Sequence, residues 1–355
     1  MFCNPCFVIS RIALPQQIRK GSMSQVVAIA GATGAVGTEF IKLLEQRNYP
    51  LQKLKLLASA RSVGKQLRFR EQTLTVEELR REAFQDVDVA FFSAGGDRSK
   101  EFAPAAVEAG ALVIDNSSAF RMDDGVPLVV PEINAEAARR HRGLIANPNC
   151  STIQMVVALN PLHQESPLQR VVVSTYQAVS GAGASGMQEL LDQVRDYTQG
   201  KPLTPQAFPK QILFNLIPHI DVFQENGYTK EEMKMVLETR KIMSIPELSV
   251  SATCVRVPVL RAHSESIWVE TETKISEARA RELFVQAPGI QLVDERKPGG
   301  YPVPWEASET FDTYVGRVRE DLSHPRGLTF WCVADQLYKG AALNAIQIAE
   351  VLLES

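Results

Sequence analysis

From residue 25 onward the chain alternates short apolar runs with stretches in which apolar residues recur every three or four positions. Residues 26–30, Val-Val-Ala-Ile-Ala, are continuously apolar, the pattern of a strand buried on both faces of a parallel sheet. Phe40, Ile41, Leu43 and Leu44 then fall on one helical face. Further strands are expected at 54–58, 87–93 and 111–114, the third running into Ala94-Gly95-Gly96 and the fourth into Asp115-Asn116-Ser117-Ser118. Strands alternating with helical stretches predict an α/β domain with a doubly wound parallel sheet over 23–149.

The pattern changes after Asn147-Pro148-Asn149-Cys150. Residues 171–176 are β-branched and alternating, and 248–260 and 266–275 read as further strands, with a mostly helical or irregular stretch over 186–246. This predicts a second, α+β domain over 150–332, built on a largely antiparallel sheet. In 340–353, Leu343, Ile346, Val351 and Leu352 have helical spacing, so residues 333–355 are expected to end in a helix packed back on the first domain.

Composition narrows the classes. The chain has 355 residues, 45% hydrophobic and 22% charged, enough apolar material for two domain cores. Its 38 basic and 41 acidic residues leave a net charge of −3, without the basic excess of a nucleic-acid binder. No apolar run reaches the roughly 18–20 residues of a membrane span. Five cysteines, sparse and odd in number, point to a reducing, cytoplasmic compartment. Cys3 and Cys6 have CxxC spacing but no second pair and no βαβ context, and read as incidental. Residues 1–22 carry no acid, and Arg11 interrupts their apolar stretch, unlike a secretory signal; an organelle-transit role is the weaker reading. They are expected to form a disordered extension upstream of Met23.

Gly31, Gly34 and Gly37 form G-x-x-G-x-x-G between the first strand and the first helix. Glycines there let the backbone turn tightly and approach a pyrophosphate, which the helix N-terminus stabilises. In this setting the motif indicates a Rossmann-type dinucleotide site. An NAD site usually carries an acid about 20 residues further on. Here no acid occurs between Gln46 and Arg70, and the second strand instead ends at Ala58-Ser59-Ala60-Arg61-Ser62. A guanidinium and a hydroxyl suit a 2′-phosphate, so Arg61 and Ser62 favour NADP over the alternative of a merely solvated basic face.

Cys150 opens an apolar, helix-compatible stretch behind Pro148. At a helix N-terminus the dipole and free amides are expected to lower a thiol pKa and to stabilise an oxyanion. Cys254 and Cys332, in strand-like apolar runs, read as core residues. A thiolate beside a nicotinamide suggests aldehyde oxidation or its reverse through an acyl thioester.

The motifs G-A-T-G-A-V-G, S-S-A-F-R, N-P-N-C-S-T, Y-Q-A-V-S-G-A-G, A-H-S-E-S and G-A-A-L-N-A-I-Q-I-A-E occur in this order. In them the chain resembles the aspartate-semialdehyde dehydrogenase family from Met23 to its end. The resemblance implies reduction of L-aspartyl 4-phosphate by NADPH to aspartate semialdehyde and phosphate, in lysine, threonine, methionine and diaminopimelate biosynthesis. It implies Cys150 as nucleophile, His263 as general acid/base, Gln177 orienting the substrate and Asn149 shaping the site. Arg121 would hold phosphate. Arg256, whose guanidinium sits among apolar neighbours, suits a bidentate grip on the substrate carboxylate. Thr229-Lys230-Glu231-Glu232 fits a capping box, placing Glu231 and Lys234 on one helical face. With the resemblance, Glu231 would take the substrate ammonium and Lys234 its phosphate; without it, an exposed ion pair is the plainer reading.

At the cofactor end Thr33, Gly34, Ala35 and Val36 would cradle the pyrophosphate, and Ser180 and Gly181 would approach the nicotinamide. Gln336 stands where the family usually has a cofactor-contacting Asn. The family implies a homodimer or homotetramer, with 186–246 as the expected interface. The rivals are N-acetyl-γ-glutamyl-phosphate reductase, whose cysteine motif is usually H-P-G-C-Y, and a catalytically silent homologue.

Overall fold

The computed structural model describes residues 25–353. The extension 1–22, with Cys3 and Cys6, lies outside the described residues. The first domain runs β1 (Gln25–Ala30), α1 (Ala35–Gln46), β2 (Leu51–Ala58), a small hairpin β3 (Gln66–Phe69) and β4 (Gln72–Thr75), then β5 (Glu77–Glu78), β6 (Val89–Phe92), α2 (Gly96–Glu108), β7 (Leu112–Asp115), α3 (Pro131–Ala138) and β8 (Leu144–Ala146). Its sheet has the order β5-β2-β1-β6-β7-β8, and every pairing is parallel. Both faces are covered, which is why β1 is apolar throughout. Val27 and Ile29 pack with Phe40 and Leu44 of α1, whereas Ala28 and Ala30 pack with Ala103 and Ala106 of α2.

The chain then enters α4 (Cys150–Glu165), β9 (Leu168–Gln177), α5 (Gly183–Thr198), α6 (Lys230–Met243), β10 (Ser249–Arg256), β11 (His263–Thr271), α7 (Glu277–Gln286), β12 (Ile290–Leu292), α8 (Pro304–Ala307), β13 (Thr313–Glu320) and β14 (Gly327–Ala334). The second sheet has the order β10-β9-β11-β14-β13-β12. The pairings β9–β11, β11–β14 and β13–β14 are antiparallel; β9–β10 and β12–β13 are parallel. One face packs on α4, where Ile153, Val156 and Val157 meet Val171, Val173, Ile267 and Phe330. A wide turn over Tyr338–Ala342 leads into α9 (Leu343–Leu353), whose Leu343 and Ile346 join the core of the first sheet.

One expected strand divides differently. The run over 248–260 stops at Arg256, because Pro258 has no N–H for a ladder, and residues 257–262 turn with Ala262 at φ +68°. His263 is thus the first residue of β11. Strands β3, β4, β5, β8, β12 and β13 were not expected from the pattern, whereas β14 holds the strand-like run around Cys332.

This topology gathers the chemistry at one end of the second sheet. Gln177 and Arg256 are register partners at the ends of the parallel strands β9 and β10. The antiparallel β11 begins beside them at His263, with Ser264 opposite Tyr176.

Candidate active site

Between the two sheets lies a cleft of about 430 Å³. The start of α4, the ends of β9 and β10 and one face of α6 line it, together with Gly95-Gly96, Asn116–Ser118 and Arg121 from the first domain. Cys150, Asn149, Gln177, Gly181, Glu231, Lys234, Arg256 and Arg121, singled out from the sequence, all border this one cleft.

Asn149 caps α4: its side-chain oxygen accepts from the backbone N–H of Ser151 at 3.1 Å and of Thr152 at 3.2 Å. Such a cap is worth about 1 kcal/mol. It also uses amides that a bare helix start would have offered to an anion. The Cys150 thiol is partly exposed to the cleft. The expected lowering of its pKa is not found: burial first, then the Glu231 carboxylate, push it up to about 12, against the opposing pull of Arg256, Arg121 and Lys234. In the protein alone this residue is a neutral thiol.

His263 is fully buried. Its Nδ1 accepts the Ala178 N–H at 3.0 Å, so the neutral ring carries its proton on Nε2. That Nε2 has no protein partner among the described residues and faces Gly181, where an added Cβ would lie 3.2 Å away. Burial and the nearby Arg256 depress its pKa to about 3, so the ring stays neutral at ordinary pH. Arg256 donates from Nη1 to the Ala178 carbonyl at 2.7 Å. The Ala178–Gly181 turn is therefore clasped from both sides.

The capping box of α6 forms as the spacing predicts: Thr229 N–H donates to Glu232 at 2.7 Å and Glu232 N–H to the Thr229 hydroxyl at 3.3 Å. Glu231 is a buried hub. It accepts from Asn149 Nδ2 at 2.8 Å, Gln177 Nε2 at 3.2 Å and Lys234 Nζ at 2.9 Å. Burial alone would raise its pKa, but Lys234 and the amide donors outweigh that and hold it at about 2. Lys234 is also bonded to Asp221 at 2.8 Å, and these two acids overcome its own desolvation and keep it charged. The pair lies in the cleft, so the surface reading of Glu231 and Lys234 does not describe it.

In the first domain Gly31 has φ +94°, and a Cβ there would lie 2.3 Å from the Ser93 carbonyl oxygen; one on Gly37 would lie 2.1 Å from the Gly31 oxygen. Glycine is obligatory at both positions. Gly34 is the N-cap of α1, with no side-chain cap and no acid in the first turn. Those amides, together with Thr33, Ala35 and Val36, fit a pyrophosphate. The Thr33 hydroxyl meets the Ser62 hydroxyl at 3.3 Å, and Arg61 is exposed on the turn beside it. The residues present fit an NADP. The Gln336 Oε1 accepts the Ala262 N–H at 2.8 Å and its Nε2 donates to Ser180. It brackets the turn before His263, with one Nε2 hydrogen left over.

Three residues escaped the sequence reading. Asp221 lies in the irregular segment before α6, where no pattern marks it. Glu238 looked like one more helical acid. Gly340 packs against Cys150, a Cβ there falling 2.8 Å from Cys150 Cβ; the glycine in the terminal motif was its only signal.

Comparison with known proteins separates along the same two sheets. Residues 26–141 match the family model described as semialdehyde dehydrogenase, NAD binding domain, and residues 159–339 match semialdehyde dehydrogenase, dimerisation domain. The two domains are thus those of a semialdehyde dehydrogenase. Aspartate-semialdehyde dehydrogenase of Aquifex aeolicus is 54% identical over 336 residues, 94% of this chain and 99% of that protein. The Bacillus subtilis enzyme is 49% identical over 334 residues, 92% and 96% of the two chains. The chain belongs to the aspartate-semialdehyde dehydrogenase family. Among solved structures, Vibrio cholerae aspartate semialdehyde dehydrogenase II complexed with ASA superposes with a TM-score of 0.92 at 47% identity, over 94% of this chain and 99% of that one. The Candida albicans enzyme with NADP does so with a TM-score of 0.71 at 26% identity, over 93% and 98%.

Proposed function

We propose that this protein reduces L-aspartyl 4-phosphate to L-aspartate 4-semialdehyde and phosphate with NADPH, through an acyl thioester on Cys150, for biosynthesis of the aspartate-derived amino acids. The observation that carries the reading is the charge layout of the cleft. Arg256 and Glu231 suit the carboxylate and ammonium of an amino acid, and Arg121 and Lys234 suit a phosphate, all around one thiol.

In this reading the substrate ammonium pairs with Glu231 and cancels the charge that opposes ionisation of Cys150. The sulfur then attacks the acyl carbon as the C–O bond breaks, and phosphate leaves toward Arg121 and Lys234, taking up the thiol proton. Gln177 and Asn149 hold Glu231 in place and border the acyl group. NADPH, when bound, supplies the hydride that reduces the thioester. His263, as the neutral Nε2–H tautomer, donates a hydrogen bond to the oxyanion of the resulting tetrahedral adduct. The oxyanion re-forms the C=O bond, the C–S bond breaks with its electron pair leaving on the Cys150 sulfur, and the aldehyde is released.

The protein acts as a homodimer or homotetramer. Leu191, Val194 and Tyr197 on α5, with Phe214, Leu216 and Phe223, form an exposed apolar surface suited to a second copy. No described helix is long and apolar enough to cross a membrane, and we place the enzyme in the cytoplasm.

The test is phosphate-dependent NADP reduction with L-aspartate semialdehyde, run beside N-acetylglutamate semialdehyde. Turnover with the first alone supports the assignment. Turnover with the second overturns the role of Glu231, and silence with both, from folded protein that binds NADP, overturns the activity.

A further inference from the structure

Glu238 is a buried carboxylate, 1% exposed, to which the reading above gives no task. It follows Glu231 and Lys234 at the i+7 and i+4 positions, on the same face of α6. One oxygen accepts from Arg121 Nη1 at 2.9 Å; the other accepts the backbone N–H of Asn149 at 2.6 Å. A carboxylate this deeply buried is tolerated because both oxygens are bonded and a cation is adjacent.

Arg121 is held at each of its nitrogens. Besides Glu238, its Nε donates to the Asn147 carbonyl at 2.9 Å and its Nη2 to the Asn116 carbonyl at 2.8 Å. A guanidinium has five N–H donors. Two therefore remain, one on each terminal nitrogen, and Arg121 borders the cleft. The three acceptors come from the loop after β7, the turn before α4 and helix α6, so the group cannot rotate without breaking a bond. Asn149, at the other end of the same carboxylate, is the N-cap immediately before Cys150.

We propose that Glu238 is a positioning residue for the phosphate step, fixing the free Arg121 donors at a set distance from the Cys150 sulfur. The proposal rests on the acyl-thioester reading. In the oxidative direction a phosphate oxygen attacks the thioester carbon. The O–C bond forms, the C–S bond breaks, and the electron pair leaves with the Cys150 sulfur. Phosphate aimed by Arg121 reaches that carbon only while the guanidinium and the nucleophile's turn keep their spacing.

The experiment uses the full chain, with Glu238→Gln, Glu238→Asp, Arg121→Lys and the double variant Arg121→Lys/Glu238→Gln. Mixing with NADP and aspartate semialdehyde without phosphate gives the acylation burst; adding phosphate gives the KM for phosphate. For Glu238→Gln the KM for phosphate is expected to rise about tenfold or more, as for breaking one side of a buried charged pair. The burst rate and the KM for semialdehyde should stay within about threefold of wild type, because acylation does not use bound phosphate. Glu238→Asp, which keeps the charge on a shorter arm, should recover part of the loss. If Glu238 acts through Arg121, the double variant should have a phosphate KM no higher than Arg121→Lys alone.

An unchanged phosphate KM, an equal fall in burst and phosphate steps, or additive single effects would each overturn the proposal and leave an ordinary structural ion pair. Should Glu238→Gln fail to fold, the same split between burst and phosphate KM in Glu238→Asp decides. A wild-type protein without any burst refutes the acyl-thioester reading itself, whatever the Glu238 variants do.

Discussion

Replacing Gly340 with Ala would place one methyl group against Cys150, the proposed nucleophile. The new Cβ would lie 2.8 Å from Cys150 Cβ, 3.2 Å from its Cα and 3.3 Å from Gln336 Cβ. Ordinary carbon–carbon contact begins near 3.5 Å, so the closest pair is short by roughly 0.7 Å. The flanking atoms belong to the first residue of α4 and to the bracket before His263, and none is the loose end of a long side chain. Gly340 is not among the residues of positive φ, so alanine suffers no backbone strain and the perturbation is one of space alone. Overpacking of this kind costs about 1–3 kcal/mol of stability. Displacing a reacting atom by ~1 Å can cost about 100-fold in rate. Gly340→Ala is therefore expected to lower kcat for aspartate semialdehyde by roughly 10–100-fold while leaving NADP affinity near wild type, since the glycine loop is elsewhere. The assay is steady-state turnover with saturating phosphate, paired with NADP titration by fluorescence and a thermal melt. A variant that melts normally and keeps kcat within about twofold would refute the claim that the terminal segment aims the sulfur.

Burial raises the Cys150 pKa most and the Glu231 carboxylate adds to it, so Glu231→Gln should let the thiol pKa fall part of the way back. Iodoacetamide inactivation, which follows the thiolate, should speed up between pH 7 and 9, and an unaltered pH profile would count against the electrostatic argument. His263, held at about 3, does not titrate in that window, so the profile reports the sulfur. Lys234→Ala should raise the KM for phosphate more than it alters cofactor affinity; an equal effect on both would remove Lys234 from the anion site. Arg61→Ala should weaken NADPH more than NADH in a binding titration, and equal losses would return Arg61 to the solvated surface.

The cofactor domain was largely legible from the chain because its signals are local. A strand buried on both faces must be apolar at every position, as residues 26–30 are, and a glycine forced to φ +94° against a neighbouring carbonyl admits no other residue. The capping box of α6 is equally local, needing only Thr229 and Glu232 three positions apart. Cys150 was marked by its polar turn ahead of an apolar helix. Its titration behaviour was not, because the surrounding packing and the acid at position 231 come from elsewhere in the chain and outweigh the dipole of its own helix.

By itself, then, the chain determined the strand–glycine loop–helix of the cofactor site, the helix start at Cys150, the cap of α6 and, through its ordered motifs, its family. Tertiary structure alone decided what those parts do together. It turned the chain after Pro258 so that His263 begins a strand, and used the Ala178 N–H to leave the proton on Nε2. It also placed Glu238 between an arginine 117 residues away and the turn 89 residues away that precedes Cys150. Periodicity and capping act within a few residues, where sequence spacing is distance. A buried charge is governed by whatever the fold packs around it, and no spacing along the chain records that.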